Sequence, residues 1–216
     1  MTSHIKELFL VGLQVAHSPI LLQLLISEIE GRGRPSLLRG FHSALNKIQL
    51  SDLGLTPATQ ASYFLPGFIS YTGIYEVHEL CVCFFSLAAG TKMPLHDHPQ
   101  MAVLTRVVIG RLRLRLADLQ EEDGQGHYKF HEVRAGEVAA PDTFMLTPSS
   151  GNLHEFEALE DTVLLDVIMP NYCALRDVTY YEQVSEEHLH AMTPTDLHFR
   201  EVKYEGESTG AGLGIF

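Results

Sequence analysis

Between residues 68 and 170 the chain is cut into short apolar runs rich in β-branched and aromatic residues, each closed by a turn signal. The runs fall at 69–77, 80–87, 102–109, 112–116, 128–133, 145–146 and 163–168. Gly110-Arg111 and the stretches 121–126 and 149–152 supply turns between them. No helical periodicity intervenes. Strands at this spacing predict an antiparallel sandwich or barrel, so the fold class expected is mainly β.

The flanks differ. In residues 1–50, Ile5, Leu8, Phe9 and Val11, then Leu21, Leu22, Leu24, Leu25 and Ile29, recur at helical spacing, and the pattern reads straight through 21–29. Gly31-Arg32-Gly33-Arg34-Pro35 breaks it, residues 37–48 resume it, and 51–57 read as a turn or loop. Residues 171–216 are polar and acidic and finish in a Gly-rich tail, 206–216, expected to be poorly ordered. The expected organisation is a helical segment (1–50) packed on a β domain (51–185), with a partly flexible extension (186–216). There is no internal repeat.

A formal net charge of −12 argues against nucleic acid or an anionic membrane as partner, because both need clustered Lys and Arg. Arg111, Arg113 and Arg115 alternate with leucine, which puts them on one solvated sheet face. Cys81, Cys83 and Cys173 are too few for a disulfide framework and suit a reducing compartment. The apolar stretch 8–16 after Lys6 loosely resembles a secretion signal, but Glu7 and Gln14 interrupt it. A cytoplasmic or nuclear location and a monomeric chain are therefore expected. No run approaches the ~18 apolar residues that a membrane-spanning helix needs.

Of the 12 histidines, His96 and His98 stand out, in Gly90-Thr-Lys-Met-Pro-Leu-His96-Asp97-His98-Pro. Strand side chains alternate sides, so a His-x-His pair on a strand directs both imidazoles to one face, only ~6.6 Å apart along the chain. Both rings can then reach one metal ion. A third ligand candidate, His154, follows a glycine turn at Gly151 in a later hairpin context.

These spacings resemble the cupin superfamily, whose first motif is Gly-x5-His-x-His-x(3,4)-Glu-x6-Gly and whose second ends in Gly-x2-His. Gly90, His96, His98 and Gly110 match the first; Gly151 and His154 match the second. At the place of the motif's metal-binding Glu stands Val103. The resemblance implies a double-stranded β-helix (jelly-roll) barrel carrying a three-histidine site with open coordination positions. Three neutral imidazoles leave the whole charge of a divalent ion for substrate to offset, which suits an anionic thiolate.

The stretch 50–182 resembles more narrowly the thiol dioxygenases that include cysteamine (2-aminoethanethiol) dioxygenase and the plant cysteine oxidases. The matching text is Ser51-Asp-Leu-Gly-Leu55, Ile74-Tyr-Glu76, Met93-Pro-Leu-His-Asp-His-Pro-Gln-Met101, Asn152-Leu-His154, Leu165-Asp-Val-Ile-Met-Pro-Asn-Tyr172 and Tyr180-Tyr181. The resemblance implies an Fe(II)-dependent enzyme that adds both atoms of O2 to a thiol to give a sulfinate. Its thiol is cysteamine or the N-terminal cysteine of a protein, the latter sent by oxidation into an N-degron route. It implies His96, His98 and His154 as the iron ligands, Asp166 as an acid facing the substrate, and Tyr172 and Tyr180 as tyrosines near the site.

Two departures fall at Val178, where some animal members have a cysteine proposed to crosslink to the tyrosine, and at Gln100, where a glycine usually follows His-Asp-His-Pro. The second is expected to alter the loop beside the metal. Two other readings remain at this level: a cupin dioxygenase of a small organic acid or diketone, with Arg106 as carboxylate anchor, and a non-catalytic, metal-stabilised cupin.

Overall fold

The computed structural model describes residues 1–122 and 126–204, so the Gly-rich tail lies outside the described residues. Three helices come first, α1 (Ser3–Ala16), α2 (Pro19–Ile29) and α3 (Ser36–Lys47). The apolar pattern suggested continuity through residue 17, but the chain bends by 107° between α1 and α2. The cause is local. Pro19 disfavours helical backbone at Ser18, which is extended at φ −124° and ψ 105°. Pro19 then occupies the first position of α2, where a missing N–H costs nothing, and the Ser18 hydroxyl accepts from the Leu21 N–H at 3.3 Å. The stretch read as a turn holds a single 3-10 turn, Leu50–Leu53, closed by Gly54 at φ +74°. No single helix among the described residues is long and apolar enough to cross a membrane.

Twelve strands are present among the described residues: β1 (Ile69–Val77), β2 (Leu80–Leu87), β3 (Lys92–Asp97), β4 (Ala102–Ile109), β5 (Arg111–Glu122), β6 (His127–Ala139), β7 (Thr143–Leu146), β8 (Leu153–Ala158), β9 (Thr162–Met169), β10 (Tyr180–Gln183), β11 (His188–Met192) and β12 (Phe199–Glu201). One sheet has the order β12-β1-β2-β9-β4-β7. The other runs β10-β11-β6-β5-β8-β3 and returns to β10 through a single pair, Tyr180 opposite His96. All pairings are antiparallel except β1 with β12.

Alternation along the strands sorts the interior into three layers. Cys83, Val103, Leu114, Phe156 and Ile168 meet between the two sheets. On the other face of the first sheet, Phe84, Leu104, Leu165 and Val167 pack against Leu8, Phe41 and Leu45 of the helices. A third, smaller cluster of Leu95, Ala117, Leu153, Tyr181 and Leu189 fills the ring of the second sheet. This is the two-sheet jelly-roll of the cupins, with N-terminal helices docked on one face.

Gly110 shows how tightly the sheets turn. Its φ is +83°, and a Cβ there would stand 2.4 Å from the Asp161 carbonyl oxygen and 2.8 Å from the Thr162 Cα. Only glycine fits. The expected boundary at residue 185 does not mark the end of the sheets: β11 pairs with β6 and β10, and β12 pairs with β1. The Tyr204 hydroxyl then donates to the Asp52 carbonyl at 2.7 Å, tying this last stretch to the start of the β domain. These late strands are polar, with one buried residue each in β10 and β11, Tyr181 and Leu189, so their pattern is weak.

Arg111, Arg113 and Arg115 lie on one sheet face as expected, and each meets a glutamate at 2.9–3.1 Å: Glu137 and Glu160, Glu157, and Glu132 and Glu155 respectively. No arginine is left over there for an acidic partner.

Candidate metal centre

β3 and β8 are antiparallel neighbours, and their register sets His96 opposite His154. His98 follows two residues after His96, on the same face. The three rings converge, with centroids 4.2 Å apart for His96 and His154, 4.9 Å for His98 and His154, and 5.2 Å for His96 and His98. One nitrogen from each lies within 4.8 Å of the other two, and all three side chains are buried.

The protonation chemistry suits a cation. Burial pushes the His96 imidazole down to about 4, and burial also lowers His98 and His154, with the neighbouring imidazoles adding to it. All three are neutral at neutral pH and keep a lone pair for a metal. Buried polar atoms left without a partner include His98 Nε2 and His154 Nδ1. Orphaned imidazole nitrogens in a dry pocket are costly unless a ligand occupies them. The donor set therefore fits a metal ion held by three histidines.

Neighbouring groups aim the ligands. His96 Nδ1 donates to the Pro94 carbonyl at 2.8 Å, which leaves Nε2 as its free nitrogen. His98 Nδ1 and the Tyr172 hydroxyl are 2.6 Å apart, and that hydroxyl is directed at the Asp97 carbonyl at 3.5 Å. Such outer hydrogen bonds fix the tautomer and orientation of a metal-binding imidazole. The ring of Tyr180 lies 5.7 Å from that of His96. Burial raises the Tyr172 phenol well above its ordinary range, and Asp97, Tyr180 and Asp166 add to the effect. Burial likewise pushes Tyr180 up to about 12.

Asp166 lies on β9 between Cys83 of β2 and Thr105 of β4, facing the space between the sheets. Burial pushes its carboxyl up to about 7, against a hydrogen bond from Thr105 that lowers it. Its Oδ1 is buried without a partner. The six residues expected from the sequence thus fall in one region: the three histidines touch, Tyr172 and Tyr180 flank them, and Asp166 is within electrostatic reach of Tyr172.

Val103 is buried in the apolar layer between the sheets, so no carboxylate enters the triad from β4. Arg106 does not face the site. It is buried on the helix side, where its guanidinium donates to the carbonyls of Leu45 and, at 2.8 Å, of Ile48 at the end of α3. The carboxylate anchor that an organic-acid oxygenase would need is spent on holding a helix.

Asp97, between the two histidines, was missed by sequence reasoning. Pointing to the opposite face, it accepts from the Thr179 N–H at 2.7 Å and the Tyr181 hydroxyl at 3.2 Å, clamping β3 to β10. Burial raises its carboxyl, and those two donors oppose the rise. Strand alternation alone would have placed it opposite the ligands. Its partners more than eighty residues away carry no local signal.

Fold and site together define a cupin with a buried three-histidine, carboxylate-free group that could hold a metal ion. A family model described as PCO_ADO matches residues 44–208. The chain is 32% identical over 152 residues to plant cysteine oxidase 2 of Arabidopsis thaliana, covering 64% of this chain and 54% of that protein. It is 28% identical over 186 residues to 2-aminoethanethiol dioxygenase of Mus musculus, covering 73% of this chain and 72% of that protein. A solved double-stranded β-helix protein from Klebsiella pneumoniae superposes with a TM-score of 0.42 at 16% identity, covering 57% of this chain and 94% of that one. The chain belongs to the PCO_ADO family and spans about half the length of plant cysteine oxidase 2.

Proposed function

We propose that this chain is an Fe(II)-dependent thiol dioxygenase converting a thiol and O2 into a sulfinic acid, with an N-terminal cysteine or cysteamine as substrate. One observation carries the reading: three buried, neutral histidines converge with no carboxylate among them, in a chain of this family. Held by these histidines, Fe(II) would supply open coordination positions and redox chemistry for combining O2 with the thiol, whose sulfur is oxidised as both oxygen atoms are taken up.

The chain's residues do the rest. His96, His98 and His154 hold the ion, with Pro94 and Tyr172 fixing two of the rings. With no ligand carboxylate, the substrate's own thiolate offsets the ion's charge. Asp166 changes charge near neutral pH, so its ionised form can take up the proton released by the thiol or accept a hydrogen bond from a substrate ammonium. Tyr180 lies against the His96 ring and holds its proton well above neutral pH, which makes it a hydrogen-bond donor. The net charge of −12 favours a basic peptide carrying the N-terminal cysteine over free cysteamine, and hence an oxygen-dependent N-degron role. Three free cysteines are in keeping with a reducing compartment such as the cytoplasm.

The test supplies the iron-loaded protein in air with a Cys-initiating peptide, cysteamine or free cysteine. The expected product carries two added oxygen atoms on the thiol of at least one substrate. Asp166→Asn is expected to raise KM for amine-bearing thiols more than for a thiol without an amine. No oxygen incorporation into any of the three thiols would overturn the reading.

A further inference from the structure

The arrangement of ligands in the buried centre recurs on the outer surface. In the buried centre, His96 on β3 and His98 just after it face His154 on the antiparallel neighbour β8, with His96 and His154 in register. On β11, His188 and His190 flank Leu189, which is buried in the ring cluster, so both imidazoles project from the opposite face. β6 is the antiparallel neighbour, and its His127 stands in register with His190. Tyr128 packs towards the ring cluster, so His127 also faces outward. This is a second His-x-His strand pair with a third histidine directly across the ladder.

The three rings are neighbours. The ring of His127 lies 5.9 Å from that of His190 and 6.4 Å from that of His188. The buried triad spans 4.2–5.2 Å, so the outer rings stand farther apart and would have to close in to share an ion. His190 is half-exposed and free of core packing, which permits that movement. Ser185 Oγ lies 3.1 Å from His188 Nδ1, leaving Nε2 to face outward. On the third strand of the row, Glu182 stands opposite His190, with its Oε1 4.0 Å from His190 Nδ1.

The geometry points to a second transition-metal site, built from His127, His188 and His190 with Glu182 beside it, on the outer face of the second sheet. Imidazole donors with a carboxylate or water in the fourth position suit Zn2+. An ion there would staple β6 to β11, which are otherwise joined by three residue pairs. β11 in turn pairs with β10, the strand that carries Tyr180 to the buried centre, so occupancy would brace that wall.

Tag-free protein, with Zn2+ as the sole metal, tests this by equilibrium dialysis. Wild type is expected to bind two ions per chain, His127→Ala and His190→Ala one each, and His154→Ala to keep the outer ion. Ser185→Ala should weaken the outer ion about tenfold, as loss of an orienting hydrogen bond does. Zn2+ should raise the melting temperature of His154→Ala and leave that of a His154→Ala, His190→Ala double variant unchanged. Circular dichroism of the metal-free variants checks folding, and the two alanine variants lie on different strands, so one misfolded protein does not decide the result. One ion in wild type, or two in both His127→Ala and His190→Ala, would overturn the site. The readout is metal content, so it stands whether or not thiols are oxidised.

Discussion

Gln100 holds a backbone conformation, φ +60°, that no other described non-glycine residue adopts. A side chain in this region costs roughly 1 kcal/mol. Gln100 follows His98-Pro99 in a left-handed turn that a glycine would adopt without strain. Gln100→Gly is therefore expected to stabilise the chain by about 0.5–1 kcal/mol, read as a higher urea midpoint at unchanged slope. Asp166 gives a prediction in pH. Its carboxyl titrates near 7 when folded, against an ordinary 3.8, so the folded chain binds this proton more tightly than the unfolded one. Its contribution to stability is therefore lost as pH rises from about 4 to about 7. In metal-free protein, Asp166→Asn should gain on wild type by on the order of 2–3 kcal/mol between about pH 5 and pH 8, measured by urea unfolding. A difference independent of pH would show that the carboxyl is not held protonated. The histidine triad was legible at this scale because strand alternation and flanking glycines are local. Asp97 was not, because its partners Thr179 and Tyr181 arrive from a strand late in the chain.

At the scale of elements, legibility follows burial. β1, β2 and β4 coincide with the apolar runs read from the sequence, since β2 and β4 are buried along most of their length. β5 and β6 extend past their apolar cores, and most of β6 is exposed, held by the arginine–glutamate ladder as well as by backbone pairing. Charged strands without an apolar face give no period to read. Arg106 shows the converse, a polar residue whose role depends on an element elsewhere. Its guanidinium supplies donors to the last carbonyls of α3, where the helix's negative end also favours a cation. Arg106→Met should cost about 2 kcal/mol, by leaving buried carbonyls unsatisfied, and should loosen α3 in hydrogen exchange while sparing metal affinity. Equal loss of metal binding would contradict the separation of this arginine from the centre.

For the whole molecule, two sheets and three helices surround a site that no one segment contains. The three histidines come from β3, the residue just after it and β8, Asp166 from β9, and the tyrosines from the stretch after it and from β10. Fold class and the convergence of the three histidines were readable because residues 90–110 and 151–154 carry the cupin spacings locally. The closing strands β10–β12, and with them the outer histidine row, depend on pairings between polar segments far apart in sequence. The central claim is that three histidines hold the iron on which thiol oxidation depends. Iron content and O2 uptake, measured together on wild type and His154→Ala with a Cys-initiating peptide, test it most directly. Wild type is expected to hold one iron and to take up O2 in step with sulfinate formed, and the variant to lose both. Retained iron and undiminished uptake in His154→Ala would contradict it.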